Sequence, residues 1–319
     1  MADVPATAVA RSGGVGVGPG AAVQVALLLG PDHPGLGEVV VRGLGAEGPG
    51  GPVAVGAALS AGWLPKAVPP RESNEDGVLL AVGPVGALLA VADGHHGSAA
   101  AVAALRALAA RAPALLAGDE LAAAEAGRGA ELAAVFATAA HAAVAHHHAV
   151  VDNDLPARTA LSLVVVTPDS FAAVGFGDTV AAVARHGRLR ALCAASDFLG
   201  PYTPSDPSSD PLADHPVTSR RRRRGDALVV LSDGVPDFLG GALATVVAEA
   251  VRAATVTLAG GGKPPDSGIG TAPGAAGAAA RALVTRAGTA GAGDNITAAV
   301  LIDGRLRRWP PRLAPRRPT

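Results

Sequence analysis

Four short acidic clusters, Asn74-Glu75-Asp76, Asp93-Gly94-His95, Asp233-Gly234 and Asp294-Asn295, lie far apart in the chain, yet each stands at the edge of an apolar run with strand-like composition. The runs cover residues 78–82, 88–92, 227–231 and 296–300. Strand ends can gather distant carboxylates at one point. Carboxylates that converge on the rim of an apolar core repel one another and lose hydration, so they stay ionised only when something cationic compensates them. A pair of hard divalent cations would do so. The apolar runs have no cluster of His or Cys beside them, and oxygen ligands without thiolates favour magnesium or manganese over zinc.

The elements that must hold these clusters follow from periodicity. Residues 37–43 and 52–59 alternate with β-branched side chains and read as strands ahead of the two that flank the first acidic clusters. Residues 98–116 and 129–148 are dense in alanine, with Leu and Val at helical spacing, and predict two long helices packed on a sheet. Short strands return at 159–166, 171–175, 180–185 and 189–192, separated by Pro168-Asp169 and His186-Gly187 turns, and are expected to form one meander. Residues 196–224, rich in Pro, Ser and Asp and ending in arginines, are expected to be an exposed loop beside the site. A helix is predicted from Pro236 with its body at 242–258, then a linker at 260–274, a helix at 275–287 and a last strand at 294–302. Runs of strands followed by runs of helices favour an α+β fold with antiparallel sheets.

With 319 residues the chain can bury a sizeable core. One catalytic domain is expected at 36–303, with a flexible Gly/Ala/Pro-rich arm at 1–35 and a Pro/Arg-rich tail at 304–319. A formal net charge of -1 gives no long-range attraction to nucleic acid or anionic membranes. The apolar run at 22–30 is too short to span a bilayer. The single cysteine, Cys193, excludes an intramolecular disulfide and suits a reducing cytosol. Only Lys66 and Lys263 are lysines among 26 basic residues, and with the abundant Ala and Gly this bias suggests a GC-rich bacterial genome. A monomeric cytoplasmic protein is expected.

Six pieces in order then carry a resemblance. They are Arg71-Glu72-Ser73-Asn74-Glu75-Asp76, Val91-Ala92-Asp93-Gly94-His95-His96-Gly97, Thr159-Ala160, Gly177-Asp178, Leu231-Ser232-Asp233-Gly234-Val235 and Gly293-Asp294-Asn295-Ile296-Thr297. Over residues 36–303 the chain resembles the metal-dependent type 2C (PPM-type) protein serine/threonine phosphatases. The resemblance implies a four-layer α-β-β-α sandwich with two packed antiparallel sheets. It implies that Asp93 bridges two Mn2+ or Mg2+ ions, that the Gly94 carbonyl helps hold one of them, and that Asp233 and Asp294 complete the other's shell. Glu75 and Asp76 would act largely through water on the ions. Arg71 would take the substrate phosphate on its guanidinium fork, and His95 would protonate the leaving alkoxide. Asp154 stands where the family has a ligand for a weaker third ion. The reaction implied is hydrolysis of phosphoserine and phosphothreonine by water activated between two ions.

Blander readings compete at several places. His141 and His146-His147-His148 lie on a helix end without a carboxylate pattern and read as a solvated face. The run Arg220 to Arg224 reads as a solvated loop end or a docking surface for acidic phosphoproteins rather than a nucleic-acid patch. Gly260-Gly261-Gly262-Lys263 lacks the spacing of a phosphate loop. Two departures from the family stand out. Thr179-Val180 follows Gly177-Asp178 where the family has a Ser-Arg pair, and the family's Thr-x-Asp-His element is missing after Leu192. These leave two rival functions, a catalytically weak phosphoprotein-binding module of the same fold and a phosphohydrolase acting on small phosphoesters.

Overall fold

In a strand, successive side chains point to opposite faces, so a run that is apolar throughout must be covered on both sides. Strand β4 (Gly77–Gly83) shows how this chain does it. Its Val78, Leu80 and Val82 belong to one buried cluster and its Leu79 and Ala81 to another. The first cluster lies between two sheets and the second under helices. The computed structural model describes residues 22–46, 53–66, 72–118, 127–150, 156–200, 212–259 and 272–303.

The remaining strands are β1 (Gln24–Leu29), β2 (Val40–Ala46), β3 (Val53–Ser60), β5 (Gly86–His95), β6 (Arg158–Val166), β7 (Ser170–Phe176), β8 (Val180–Arg185), β9 (Arg188–Ala191), β10 (Thr218–Arg221), β11 (Ala227–Leu231) and β12 (Ile296–Asp303). They form two six-stranded antiparallel sheets, ordered β1-β4-β5-β6-β7-β10 and β2-β3-β12-β11-β8-β9. Helices α1 (Ala99–Leu116) and α2 (Arg128–Val150) cover the first sheet through Leu105, Leu108, Leu132 and Phe136. Beyond a short α3 (Pro236–Leu239), α4 (Leu243–Ala259) and α5 (Ala272–Thr289) cover the second through Val247, Val251, Ala280 and Leu283. Leu59, Leu80, Leu89, Val230 and Leu301 fill the space between the sheets. The α-β-β-α sandwich is therefore the fold of this chain.

Four expectations are corrected. The arm placed at 1–35 contains β1, which pairs with β4 from Gln24↔Val82 to Leu29↔Gly77, so the ordered fold begins before residue 36. The apolar run Val25 to Leu29 supplies most of this edge strand. The strands between 158 and 191 are not one meander: β6 and β7 stay in the first sheet while β8 and β9 join the second, with Gly177-Asp178-Thr179 as the crossing. The loop expected at 196–224 contains β10, which pairs with β7, and Arg222 is no solvated end, because its guanidinium lies 3.0 Å from Asp303 with both side chains buried. The helix expected from Pro236 is broken at Gly240, where φ is +46°, before α4 begins. Of the linker expected at 260–274, residues 260–271 fall outside the described residues, as does the tail from 304, while 272–274 already belong to α5.

Candidate metal centre

Strand register assembles the centre. Gly77 pairs with Ala92, so Asp76, one residue before β4, lies beside Asp93 near the end of β5. In the second sheet Leu231 pairs with both Ala298 and Val180, which brings Asp233, the Asp294-Asn295 turn and Asp178 to the same end. Contacts then join the two rims. The Asp93 and Asp233 carboxyls hydrogen-bond one another, and Thr297 Oγ1 donates to Asp76 Oδ2 at 2.8 Å. Asn295 ties three segments together: its Oδ1 accepts from the Glu75 amide at 2.9 Å, and its Nδ2 donates to the Ser73 carbonyl at 2.9 Å and the Ala61 carbonyl at 3.3 Å.

Backbone fit is equally tight at Gly94. Its amide donates to the Glu75 carbonyl at 3.2 Å, and a Cβ there would come within 2.7 Å of that oxygen and 2.9 Å of the Gly97 carbonyl. Only glycine lets the turn after Asp93 approach the acidic segment this closely. Thr159 Oγ1 donates to the Asp93 carbonyl at 2.8 Å, which explains the small hydroxyl residue at the start of β6.

The electrostatics of the cluster are those of a cation site. Burial, followed by the charges of Asp76 and Asp233, holds Asp93 well above the ordinary carboxylate range. Burial also pushes Asp76 up to about 7 against hydrogen bonds from Thr297 and Ser232, and raises Asp233 to about 6. Asp76 Oδ1 and Glu75 Oε1 are buried without a hydrogen-bond partner. Orphaned buried oxygens beside mutually repelling carboxylates suit hard divalent ions, and the donors of Asp76, Asp93, Asp233, Asp294 and Glu75 are all oxygen. The residues therefore fit magnesium or manganese.

The sign of the resulting pH dependence is fixed. Asp76 and Asp233 have folded-state pKa values above their unfolded ones, so the folded protein retains protons that the unfolded chain has released from pH 4 upward. Their contribution to stability is fully present below pH 4 and is lost as pH rises through about 6 to 7. Chelator-treated protein should accordingly melt lower at pH 8 than at pH 5.5, and added Mn2+ should recover more of the melting temperature at pH 8. A metal-free melting temperature that rises across this interval would contradict the assignment.

His95 stands at the lip of the centre. Burial lowers its pKa, Asp178 raises it, and Arg158 and Lys66 lower it. Its Nε2 is buried with no hydrogen-bond partner, and its ring meets Phe198 edge-on at 4.7 Å between centroids. Arg158, paired with His95 across β5 and β6, stacks over the Phe198 ring at 4.4 Å from its centre. Phe198 comes from the segment that replaces the family's Thr-x-Asp-His element. That segment is laced to the sheet by reciprocal backbone bonds between Leu199 and Thr159 at 2.9 and 3.0 Å.

Of the residues singled out by sequence, Glu75, Asp76, Asp93, Gly94, His95, Asp233 and Asp294 lie in this region. Arg71 and Asp154 fall outside the described residues. Glu72, next to Arg71, accepts from the Ser98 amide at the start of α1 at 3.3 Å. Among the described residues, the ligating atoms of Asp93, His95 and Asp178 lie within 4.8 Å of one another, so Asp178 joins the cluster without having been given a role by sequence. Its placement in the Gly177-Asp178 motif was the available signal. Lys66 was also missed: its ammonium lies 2.8 Å from Asp294 Oδ1 and 3.5 Å from Glu75 Oε2. Burial alone would lower its pKa, but the hydrogen bond to Asp294 and the charges of Asp294, Asp76 and Glu75 raise it.

The other candidates resolve as structure. His148 Nε2 contacts the Ala157 carbonyl at 2.6 Å. Burial pushes the Cys193 thiol up to about 11, which makes it a poor nucleophile near neutrality. Thr179, at the departure from the family, donates to Ser162 Oγ at 3.0 Å and so fills that position with a polar contact inside the fold.

Comparison with known proteins adds the following. The family model for protein phosphatase 2C matches residues 71–259, a span that holds every cluster described above except the Asp294 turn and Lys66. No curated protein sequence matches the chain. Among solved structures, the fold is similar to that of a bacterial serine phosphatase, at 13% identity and TM-score 0.53 over 83% of this chain and 98% of that one. It is similar to the S. agalactiae serine/threonine phosphatase, at 17% identity and TM-score 0.51 over 83% and 99% of the two chains. It is also similar to the Mycobacterium tuberculosis serine/threonine phosphatase PstP/Ppp, at 24% identity and TM-score 0.50 over 78% and 97%.

Proposed function

The chain belongs to the protein phosphatase 2C family, and from that premise we propose that it hydrolyses phosphoserine and phosphothreonine on proteins at a centre built for two Mn2+ or Mg2+ ions. One observation carries the reading: strands of both sheets bring the buried Asp76 and Asp93 together with the half-buried Asp233, and burial and mutual repulsion push the pKa of all three up. Asp93 would touch both ions with help from the Gly94 carbonyl, Asp233 and Asp294 would hold one of them, and Asp76 and Glu75 would orient water by hydrogen bonds. Two divalent ions there would lower the pKa of water from about 15.7 towards neutrality and clamp the oxygens of an in-line phosphoryl transfer.

The chain's own groups supply the rest. An alkoxide is a poor leaving group, and His95, whose Nε2 makes no hydrogen bond and which stands beside Asp93, is placed to deliver a proton to it. The Phe198 contact restrains the ring in that position. Arg71 would take the phosphate bidentately, and Asp154 would hold a weaker third ion. We also place the protein in a reducing bacterial cytosol, where the single cysteine and a net charge of -1 are at home.

The test is phosphate release from a phosphothreonine peptide with Mn2+, with Mg2+ and with chelator, in the wild type and Asp233→Asn. Release that requires metal and drops roughly a hundredfold in the variant is expected. Metal-bound protein that captures the phosphopeptide without turnover would instead identify a binding module, and far faster release from small phosphoesters would shift the substrate class.

A further inference from the structure

The chain carries Arg almost everywhere it needs a positive charge, with Lys66 and Lys263 as its two lysines among 26 basic residues. One of these two stands in the centre. Lys66 is not a surface group that has drifted there: its side chain is 18% exposed, and the segment before it is anchored. Trp63 and Leu64 amides both donate to the Ala292 carbonyl, at 3.0 and 3.2 Å, two residues before Asp294. Trp63 also packs on Gly288 of α5, where an added Cβ would come within 2.0 Å of the indole ring. The loop that carries Lys66 and the turn that carries Asp294 are thus fastened to each other, and the ammonium is delivered onto Asp294 Oδ1 at 2.8 Å and towards Glu75 Oε2 at 3.5 Å.

We propose that the Lys66 ammonium is a tethered counter-ion of the centre, which holds Asp294 and Glu75 in the metal-free protein and must leave Asp294 before that carboxylate can take a divalent ion. The proposal rests on the metal reading given above. A lysine suits this task better than an arginine. Its charge is compact, its stem is flexible, and its three donors rotate, so it can occupy the place of an ion and withdraw; a planar guanidinium fork that engaged the carboxylate bidentately would be harder to dislodge. Lys66 therefore lowers the repulsion among the carboxylates when metal is scarce and makes metal compete for the site.

The experiment is Mn2+ binding measured by titration calorimetry on the chelator-stripped full chain, together with metal-free melting temperatures, for wild type, Lys66→Gln and Lys66→Arg. Lys66→Gln should bind Mn2+ roughly fivefold more tightly than wild type, the upper end of what losing a part-exposed ion pair that metal must break would give. Its metal-free form should melt below wild type, and Lys66→Arg, which keeps the charge, should bind Mn2+ no more tightly than wild type. Equal or weaker binding by Lys66→Gln overturns the proposal while leaving the metal reading intact, as does a gain in Lys66→Arg equal to that in Lys66→Gln. Absence of binding in all three proteins overturns both. Should Lys66→Gln fail to fold, Lys66→Met provides the same comparison without a polar head group.

Discussion

Asp93→Asn is expected to lower metal-dependent phosphate release by roughly a thousandfold or more, because on the proposed dinuclear reading it removes charge from the carboxylate that would serve both ions. The same substitution should raise the melting temperature of the metal-free protein. Asp93 is 5% exposed, its pKa is driven up by burial and by the charges of Asp76 and Asp233, and an amide there relieves that repulsion while still able to bond Asp233. Opposite movements of activity and stability separate a damaged metal site from a damaged fold. Phosphate release and thermal melting on the same preparation check both. Wild-type turnover in Asp93→Asn would remove the dinuclear reading, and a large loss of melting temperature would mean that the carboxylate serves packing instead.

The second large effect concerns the leaving group. His95→Ala should slow hydrolysis of a phosphothreonine peptide by roughly a hundredfold to ten-thousandfold, the usual worth of a positioned proton donor. Hydrolysis of an aryl phosphate should stay near the wild-type rate, since a phenolate departs without protonation. The wild-type advantage should shrink as pH rises, because burial lowers the His95 pKa and the ring loses its proton sooner than a free imidazole. Paired kinetics on the two substrates decide the matter, and equal losses on both would reassign His95 to a structural or metal-holding part beside Asp93 and Asp178.

Much of this centre was legible before any coordinates, for a physical reason. Asp76, Asp93, Asp233 and Asp294 each border an apolar run, and strand ends are local features that a sequence displays openly. What a sequence does not display is which strands become neighbours. Nothing in residues 158–191 distinguishes one meander from two pairs in separate sheets, so the crossing at Gly177-Asp178-Thr179 was not foreseen, and Asp178 was left without a role. Strand β1 escaped because a short apolar run at the end of a long Gly/Ala/Pro-rich stretch lacks the period-2 alternation that marks a strand, although Gly30-Pro31-Asp32 does mark its end. Strand β10 escaped because Thr218 to Arg221 has the composition of a solvated loop and is a strand only through its pairing with β7. Lys66 escaped for a different reason: its partner Asp294 lies in another part of the chain, and a lone lysine in a Pro-containing segment gives no local sign of being tethered.

The last strand among the described residues is among the most central. β12 lies between β3 and β11, and Asn295 at its head bonds the Ala61 carbonyl across a sequence separation of 234 residues. On a ribosome adding about 5–20 residues per second, β3 therefore waits roughly 10–50 s for its partner to be synthesised. Through that interval one edge of an apolar strand stays unpaired, and the carboxylates of the first sheet stand without those of the second. During that interval the nascent chain is open to strand-edge association, and a chain short of Asp294 and β12 lacks part of the proposed centre. The second sheet closes, and the proposed centre with it, only when β12 enters between β3 and β11.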